Sequence, residues 1–420
     1  MRTTDTLVVG AGQAGLAASR LLTERGVEHV LLERGRVGER WRSTTWDSLH
    51  LLTPNWMNSL PGRPYQGADP DGFISAAAFA EELADYARSF DAPVEAETRV
   101  VSLSKSGNCF RAVTDRETWT ARTAVIATGW CERPAVPAMA AAVNGDIAQL
   151  SPGEYRNPES VPPGGVLVVG ASATGVQLAD ELRAAGRDVT IAVGRHTRVP
   201  RSYRGMDIYW WLQRLGVLDK TIDEMPDPVL ARREPSLQLV GKADRGALDL
   251  AALQSGGVRV AGRLIDIDGS RASFAADLSA NVAAADRRMG RLLRHIDRLI
   301  DSDGLRDEVF AAQSSQALDQ PSVIRDLDLR NAGIRTIVWA TGHRRSYPWL
   351  RLPVLDRNGE IRQSRGRTPV PGLYVLGQRF QHYRSSNFIG GVGRDAAFVA
   401  DQITGCVAPT RDCTSAGTGH

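Results

Sequence analysis

A chain of 420 residues has room for two or three domains at roughly 150 residues each and can bury a large core without disulfide or metal support. Lysine plus arginine (51) nearly balance aspartate plus glutamate (48), which argues against a nucleic-acid binder, and 42% hydrophobic with 24% charged residues excludes bulk disorder. The 41 glycines exceed the usual share of about 7% and point to turns where backbone approaches a ligand, while the 4 cysteines form no Cys-x-x-Cys, against a dithiol centre or a zinc ribbon.

No apolar run reaches the roughly 18 residues of a membrane span, and glycines interrupt the apolar stretch at the N-terminus. The chain therefore reads as cytoplasmic, with no membrane contact. Residues 6–22 (TLVVGAGQAGLAASRLL) pass from a β-branched run through Gly10, Gly12 and Gly15 into an Ala/Leu-rich helix. In G-x-G-x-x-G the first glycine makes the tight turn, the second lets backbone approach a diphosphate, and the third lets helix and strand pack closely. The helix N-terminus offers free N–H groups to the anion. A second strand, residues 29–32, ends at Glu33, where a carboxylate accepts from ribose hydroxyls.

The stretch after Glu33 is rich in aromatic residues. Trp41, Trp46 and Trp56 either wrap a flavin ring or fill a core. A helix is expected over residues 73–88, strands over 97–104 and 109–114, and a buried strand ending Ala-Thr-Gly over 124–129. Residues 151–165 read as a linker.

The phosphate-binding pattern returns over residues 166–182, with Gly170 and Gly175 outermost and Ser172 in the middle, where a side chain holds a phosphate further off. The following strand, residues 189–193, ends at Gly194 with no acid. Arg195, His196, Arg198 and Arg201 come next. They suit a 2′-phosphate, and so NADPH, unless they form only a solvated loop face. An amphipathic helix is expected over 277–301, a strand ending Ala-Thr-Gly over 337–342, a strand at 373–376 and a helix over 393–403. This last helix follows Ser386, Asn387 and Phe388 and aims its positive end at a flavin ring.

GAGQAG, Glu33, the Arg40–Trp41 pair, IATG, YRNP, GASATG, WATGHRRSYPWL and GLYVLG, in that order, make nearly the whole chain resemble the class B flavoprotein monooxygenases. Three departures stand out. Only Tyr155 remains of the Baeyer–Villiger fingerprint, His343 replaces the tyrosine of the N-hydroxylase Ala-Thr-Gly-Tyr, and Gln378 follows the C-terminal glycine where related reductases have aspartate.

The resemblance implies an α/β fold of two Rossmann-like domains. A discontinuous FAD domain would span residues 1–160 and 335–408, and an inserted NADPH domain 161–334, with a helical insertion at about 205–330 and a flexible tail at 409–420. To FAD it assigns Gly10, Gly12, Gln13, Ala14, Gly15, Glu33, Arg34, Arg40, Trp41, Trp46, Thr53, Val100, Ala127, Thr128, Gly129, Gly377, Phe388 and Ile389. To NADPH it assigns Gly170, Ser172, Ala173, Thr174, Gly175, Arg195, His196, Arg198, Ala340, Thr341 and Gly342. It implies a monomer or homodimer that inserts one oxygen atom from O2 into a small-molecule substrate, preferably at nitrogen or sulfur, through a flavin C4a-(hydro)peroxide, with no metal. Asn55 and Asn387 are the candidate hydrogen-bond donors at the reacting centre. The rival readings are a reductase with another acceptor and a non-catalytic flavin-binding protein.

Overall fold

The computed structural model describes residues 1–242, 244–313, 316–319 and 323–407, so the expected tail at 409–420 lies outside the described residues. Strand β1 (Arg2–Val9) feeds helix α1 (Gln13–Glu24), which returns to β2 (His29–Leu32). A short helix α2 (Glu39–Ser43), a longer α3 (Ala76–Arg88) and strands β3 (Val94–Glu95), β4 (Val100–Ser106), β5 (Cys109–Thr114) and β6 (Thr118–Ile126) follow. The apolar residues of β1 and β2 are buried on both faces, as a parallel sheet flanked by helices requires.

The first sheet runs β3-β2-β1-β6 in parallel, with Val8 level with Leu31 on one side and Val125 on the other. Strand β6 is shared: its start pairs antiparallel with β5, while its end pairs parallel with the late strand Leu373–Val375. The helix Val392–Val407 then packs on α1. The chain thus leaves the first unit after β6 and comes back to it more than two hundred residues later.

A second, all-parallel sheet holds Arg259–Ala261, Val189–Ala192, Gly165–Val169, Ile334–Trp339 and Ala148–Leu150 in that order, with helix α4 (Ala173–Ala184) following Gly165–Val169. This corrects the expected boundaries at 160/161 and 334/335. Ala148–Leu150 and Ile334–Trp339 belong to the second sheet, because a unit extends to its last hydrogen-bonded strand and not to the linker composition. The insertion is also not one helical block. The chain returns to the second sheet at Arg259–Ala261 and forms a small sheet from Leu264–Asp268, Arg271–Phe274 and Asp326–Asp328. Its main helix, Leu278–Ser302, buries Ala285, Met289, Ile296 and Ile300 along one stripe and leaves His295 in solvent.

Two segments cross between the units side by side. Arg133–Pro134, beyond β6, pairs antiparallel with His343–Arg344, and Trp130 meets His343 edge-on at 6.3 Å. Among the described residues no helix is long and apolar enough to cross a membrane, and no cluster of His, Cys, Asp or Glu could hold a metal ion.

Candidate active site

The two glycine turns are near copies in space. Gly10 has φ +105° and its N–H reaches the Leu32 carbonyl at 2.9 Å; Gly170 has φ +112° and reaches Ala192 at 3.0 Å. A Cβ on Gly10 would stand 2.8 Å from the Ala127 carbonyl oxygen, and one on Gly170 would stand 2.4 Å from that of Ala340. Each Ala-Thr-Gly strand end therefore closes against its own glycine turn. A Cβ on Gly15 or Gly175 would lie 1.9 Å from the carbonyl oxygen of Gly10 or Gly170. Those two residues serve helix–strand packing, and neither lines the cavity, which corrects their assignment as cofactor contacts. At Gly12 a Cβ would meet nothing within 4 Å.

Helices α1 and α4 begin at Gly12 and Ser172 with no side-chain cap. By contrast, Ser75, Asp207, Asp227 and Asp249 cap helices that begin elsewhere. A helix start leaves N–H groups without intrahelical partners, and a capping side chain normally takes one. Ser172 is a good capping residue that does not cap, so both helix ends keep their donors for a ligand. Both open onto one cavity of about 1910 Å³.

The flanks differ in sign. The Glu33 carboxylate accepts from the Ala11 N–H at 2.8 Å and the Gly35 N–H at 3.0 Å while facing the cavity, so it is fixed with acceptor capacity to spare. At the matching place in the second unit stand Gly194 and an exposed Arg195, both on the cavity wall. His196 and Arg198 are not there. His196 is buried with its Nδ1 donating to the Gly194 carbonyl, and burial lowers its pKa. Arg198 is buried and ion-paired with Asp249 and Asp286 at 2.8 and 2.7 Å. The expectation that both meet a 2′-phosphate is corrected, since their polar groups are consumed inside the fold. Arg201 is likewise buried against Asp207.

Of the other first-unit residues, Gln13, Ala14, Arg34, Arg40, Trp41, Trp46, Thr53, Val100, Ala127, Thr128, Gly129, Gly377, Phe388 and Ile389 line the cavity. So do Ala173, Thr174, Ala340, Thr341 and Gly342 of the second unit. Arg34 and Arg40 both pair with Glu132 at 3.0 Å, Trp41 meets Phe79 edge-on, and Trp46 is buried in the second core as well as facing the cavity. Thr53 donates to Asn58 at 2.7 Å.

Asn387 lines the cavity, and its carbonyl accepts from Gln13 at 3.1 Å. Asn55 does not line it. Its amide donates to Asp69 at 3.0 Å and its Oδ1 accepts from Ile74 at 2.9 Å. Asn55 ties a loop, which corrects its proposed role at the reacting centre. Asp395, in the first turn of Val392–Val407, is pushed up to about 6 by burial, against the opposing pull of Ser386. Above that pH its own charge offsets part of the positive helix end expected to face a flavin.

Tyr209 on the helix Ile208–Arg214, edge-on to Phe388 at 5.7 Å, and Arg232 line the wall without any motif signal, whereas Arg345 lies within WATGHRRSYPWL and Arg379 follows the GLYVLG turn as a candidate for an acidic substrate group. Gln378 was visible as the replacement for aspartate. It donates to the Gly129 carbonyl at 3.3 Å and joins the late segment to the end of β6. Cys131 also faces the cavity, but burial pushes its thiol up to about 11, which keeps it protonated and poorly reactive.

Two matching glycine turns with uncapped helices on one cavity have the form of a pair of dinucleotide-binding sites facing each other. Residues 7–213 match the pyridine nucleotide-disulphide oxidoreductase model. The chain is 31% identical over 402 residues to an uncharacterized CzcO-like oxidoreductase of Geobacillus kaustophilus, covering 95% of this chain and 98% of that one. It is 30% identical over 241 residues to the rice (Oryza sativa subsp. japonica) indole-3-pyruvate monooxygenase YUCCA4, 52% of this chain and 54% of that one. A flavin-containing monooxygenase from Stenotrophomonas maltophilia superposes with a TM-score of 0.68 at 19% identity, over 97% of this chain and 100% of that one. The chain belongs to the CzcO-like oxidoreductases.

Proposed function

We propose that this chain is a monooxygenase that takes FAD in the first unit and NADPH in the second and places one oxygen atom from O2 on a nitrogen or sulfur of a small-molecule substrate. The carrying observation is the pair of uncapped helix starts on one cavity, flanked by Glu33 in one unit and Arg195 in the other. The open space at Gly12 fits a diphosphate against α1, and the absence of an acid at Gly194 fits a 2′-phosphate.

Bound flavin supplies the electron transfer from the nicotinamide and the reaction with O2. The chain supplies position and shelter. Backbone N–H groups of α1 and α4 hold phosphates, Glu33 holds ribose hydroxyls, and Gln13 fixes Asn387 through its carbonyl. The Asn387 side chain, bonded to none of the described residues, is free to donate at the reacting centre. Trp130, Tyr209 and Phe388 supply apolar wall that keeps water out. The inert Cys131 thiol, with no second cysteine on the cavity wall among the described residues, weighs against a disulfide reductase. The reading includes a cytoplasmic monomer or homodimer.

The test is anaerobic mixing of the flavin-loaded protein with NADPH, followed by air and a panel of amines and sulfides. Bleaching by NADPH, then O2 uptake matched one to one by oxygenated product, is the expected result. Bleaching with turnover only toward quinones would establish a reductase, and no bleaching at all would establish a binding protein.

A further inference from the structure

Three arginines on the cavity wall belong to neither glycine turn. Arg345 lies beyond Ala340–Gly342 on the returning crossing, Arg379 follows Gly377 and Gln378, and Arg232 ends the short helix Pro228–Arg232. Arg40, Arg345 and Arg379 all act electrostatically on the Cys131 thiol, Arg232 acts on Arg345, and Arg345 acts on Arg379, so the arginines lie within electrostatic reach of one another on one wall.

Their partners are few. Arg232 donates only to the Phe380 carbonyl at 3.3 Å, and Arg379 donates only to the Glu234 carbonyl while lying over the Trp130 ring at 5.8 Å. Neither has a carboxylate within ion-pair distance among the described residues. Arg345 pairs with Glu360, and its Nε is buried without a partner. Burial lowers the pKa of all three, and for Arg232 and Arg379 no ion-paired carboxylate among the described residues offsets it. Partly buried guanidinium groups without acids are costly unless an anion meets them. A planar guanidinium fork matches a carboxylate with two parallel hydrogen bonds.

We propose that the cavity binds substrates bearing a carboxylate, which Arg232, Arg345 and Arg379 grip beside Trp130. This rests on the reading above that the cavity takes a small-molecule substrate. Each nucleotide unit already has its own phosphate-binding helix start, so the three arginines serve a third ligand. The carboxylate anchors the substrate and leaves its nucleophilic atom to be presented to the flavin.

The test is isothermal titration of the oxidised, flavin-loaded protein with benzoate, benzamide, inorganic phosphate and NADP, with no turnover. Benzoate should bind saturably and at least about tenfold more tightly than benzamide or phosphate. R232Q and R379Q should each weaken benzoate by about tenfold and leave NADP affinity unchanged, with R379K, which keeps the charge but not the fork, falling between. Equal binding of benzoate and benzamide, no binding of benzoate, tighter binding of phosphate, or loss of NADP affinity in R379Q would each overturn the proposal. The outcome does not depend on NADPH oxidation or O2. Selective benzoate binding alongside a failed oxygenation assay would therefore keep the anion site and discard the monooxygenase, and the reverse result would do the opposite.

Discussion

The two nucleotide units are built on the same turn, yet they differ at two positions that decide what each can hold. In the first, Gly12 adds nothing to the space before α1, and Glu33 is pinned by the N–H groups of Ala11 and Gly35. In the second, Ser172 places a side chain at the helix start, and Gly194 removes the acid and leaves Arg195 at the rim. The first unit is thus a fixed, close-fitting cradle. The second carries a side chain at its helix start and a positive flank where the first has an acid. Packing positions are shared and ligand positions diverge.

The largest effects are expected where the units are alike. G15A and G175A each set a methyl 1.9 Å from a backbone oxygen that cannot move aside, and each should lower stability by about 1–3 kcal/mol or more, read by thermal unfolding. G12A, with nothing within 4 Å of its Cβ, should leave the unfolding of the flavin-free protein unchanged and abolish flavin retention, read by absorbance of the purified protein. Equal unfolding losses in G12A and G15A would break the division between packing and ligand glycines.

A smaller effect separates the flanks. R195A should raise the Michaelis constant for NADPH by about tenfold while that for NADH changes less than about twofold. Equal changes for both nucleotides would remove the 2′-phosphate role of this rim. The smallest effect belongs to S172G, which restores the middle glycine. It should lower the Michaelis constant for NADPH by roughly threefold and leave flavin content untouched. A rise instead would mean that the serine hydroxyl itself holds the nucleotide.

The glycine turns, the acid after β2 and the two Ala-Thr-Gly strand ends were legible because each rests on local rules of turn geometry and strand burial. The helix Leu278–Ser302 was legible within one residue at each end, because its apolar residues recur at helical spacing. Side-chain direction was not. Thr197–Arg198 forms a short strand paired with Leu237–Gln238, and that pairing turns Arg198 inward to Asp249 and Asp286 while Arg195 stays at the surface. Asn55 was misplaced because its partners, Asp69 and Ile74, lie in an irregular loop without periodicity. Arg232, Arg345 and Arg379 come from three distant segments, and only the folded chain makes neighbours of them. Ala148–Leu150 was missed because a three-residue edge strand carries too little pattern to stand out from its linker.

The two crossings between the units, zipped together where Arg133–Pro134 meets His343–Arg344, constrain how the molecule can move. A lone tether lets one lobe spin relative to the other, whereas two antiparallel tethers bonded edge to edge resist torsion. Direct bonds between the lobes, Ser48 to Glu181 at 2.7 Å and Arg201 to the Leu52 carbonyl at 2.8 Å, add to that restraint and hold the two facing helix starts in one register.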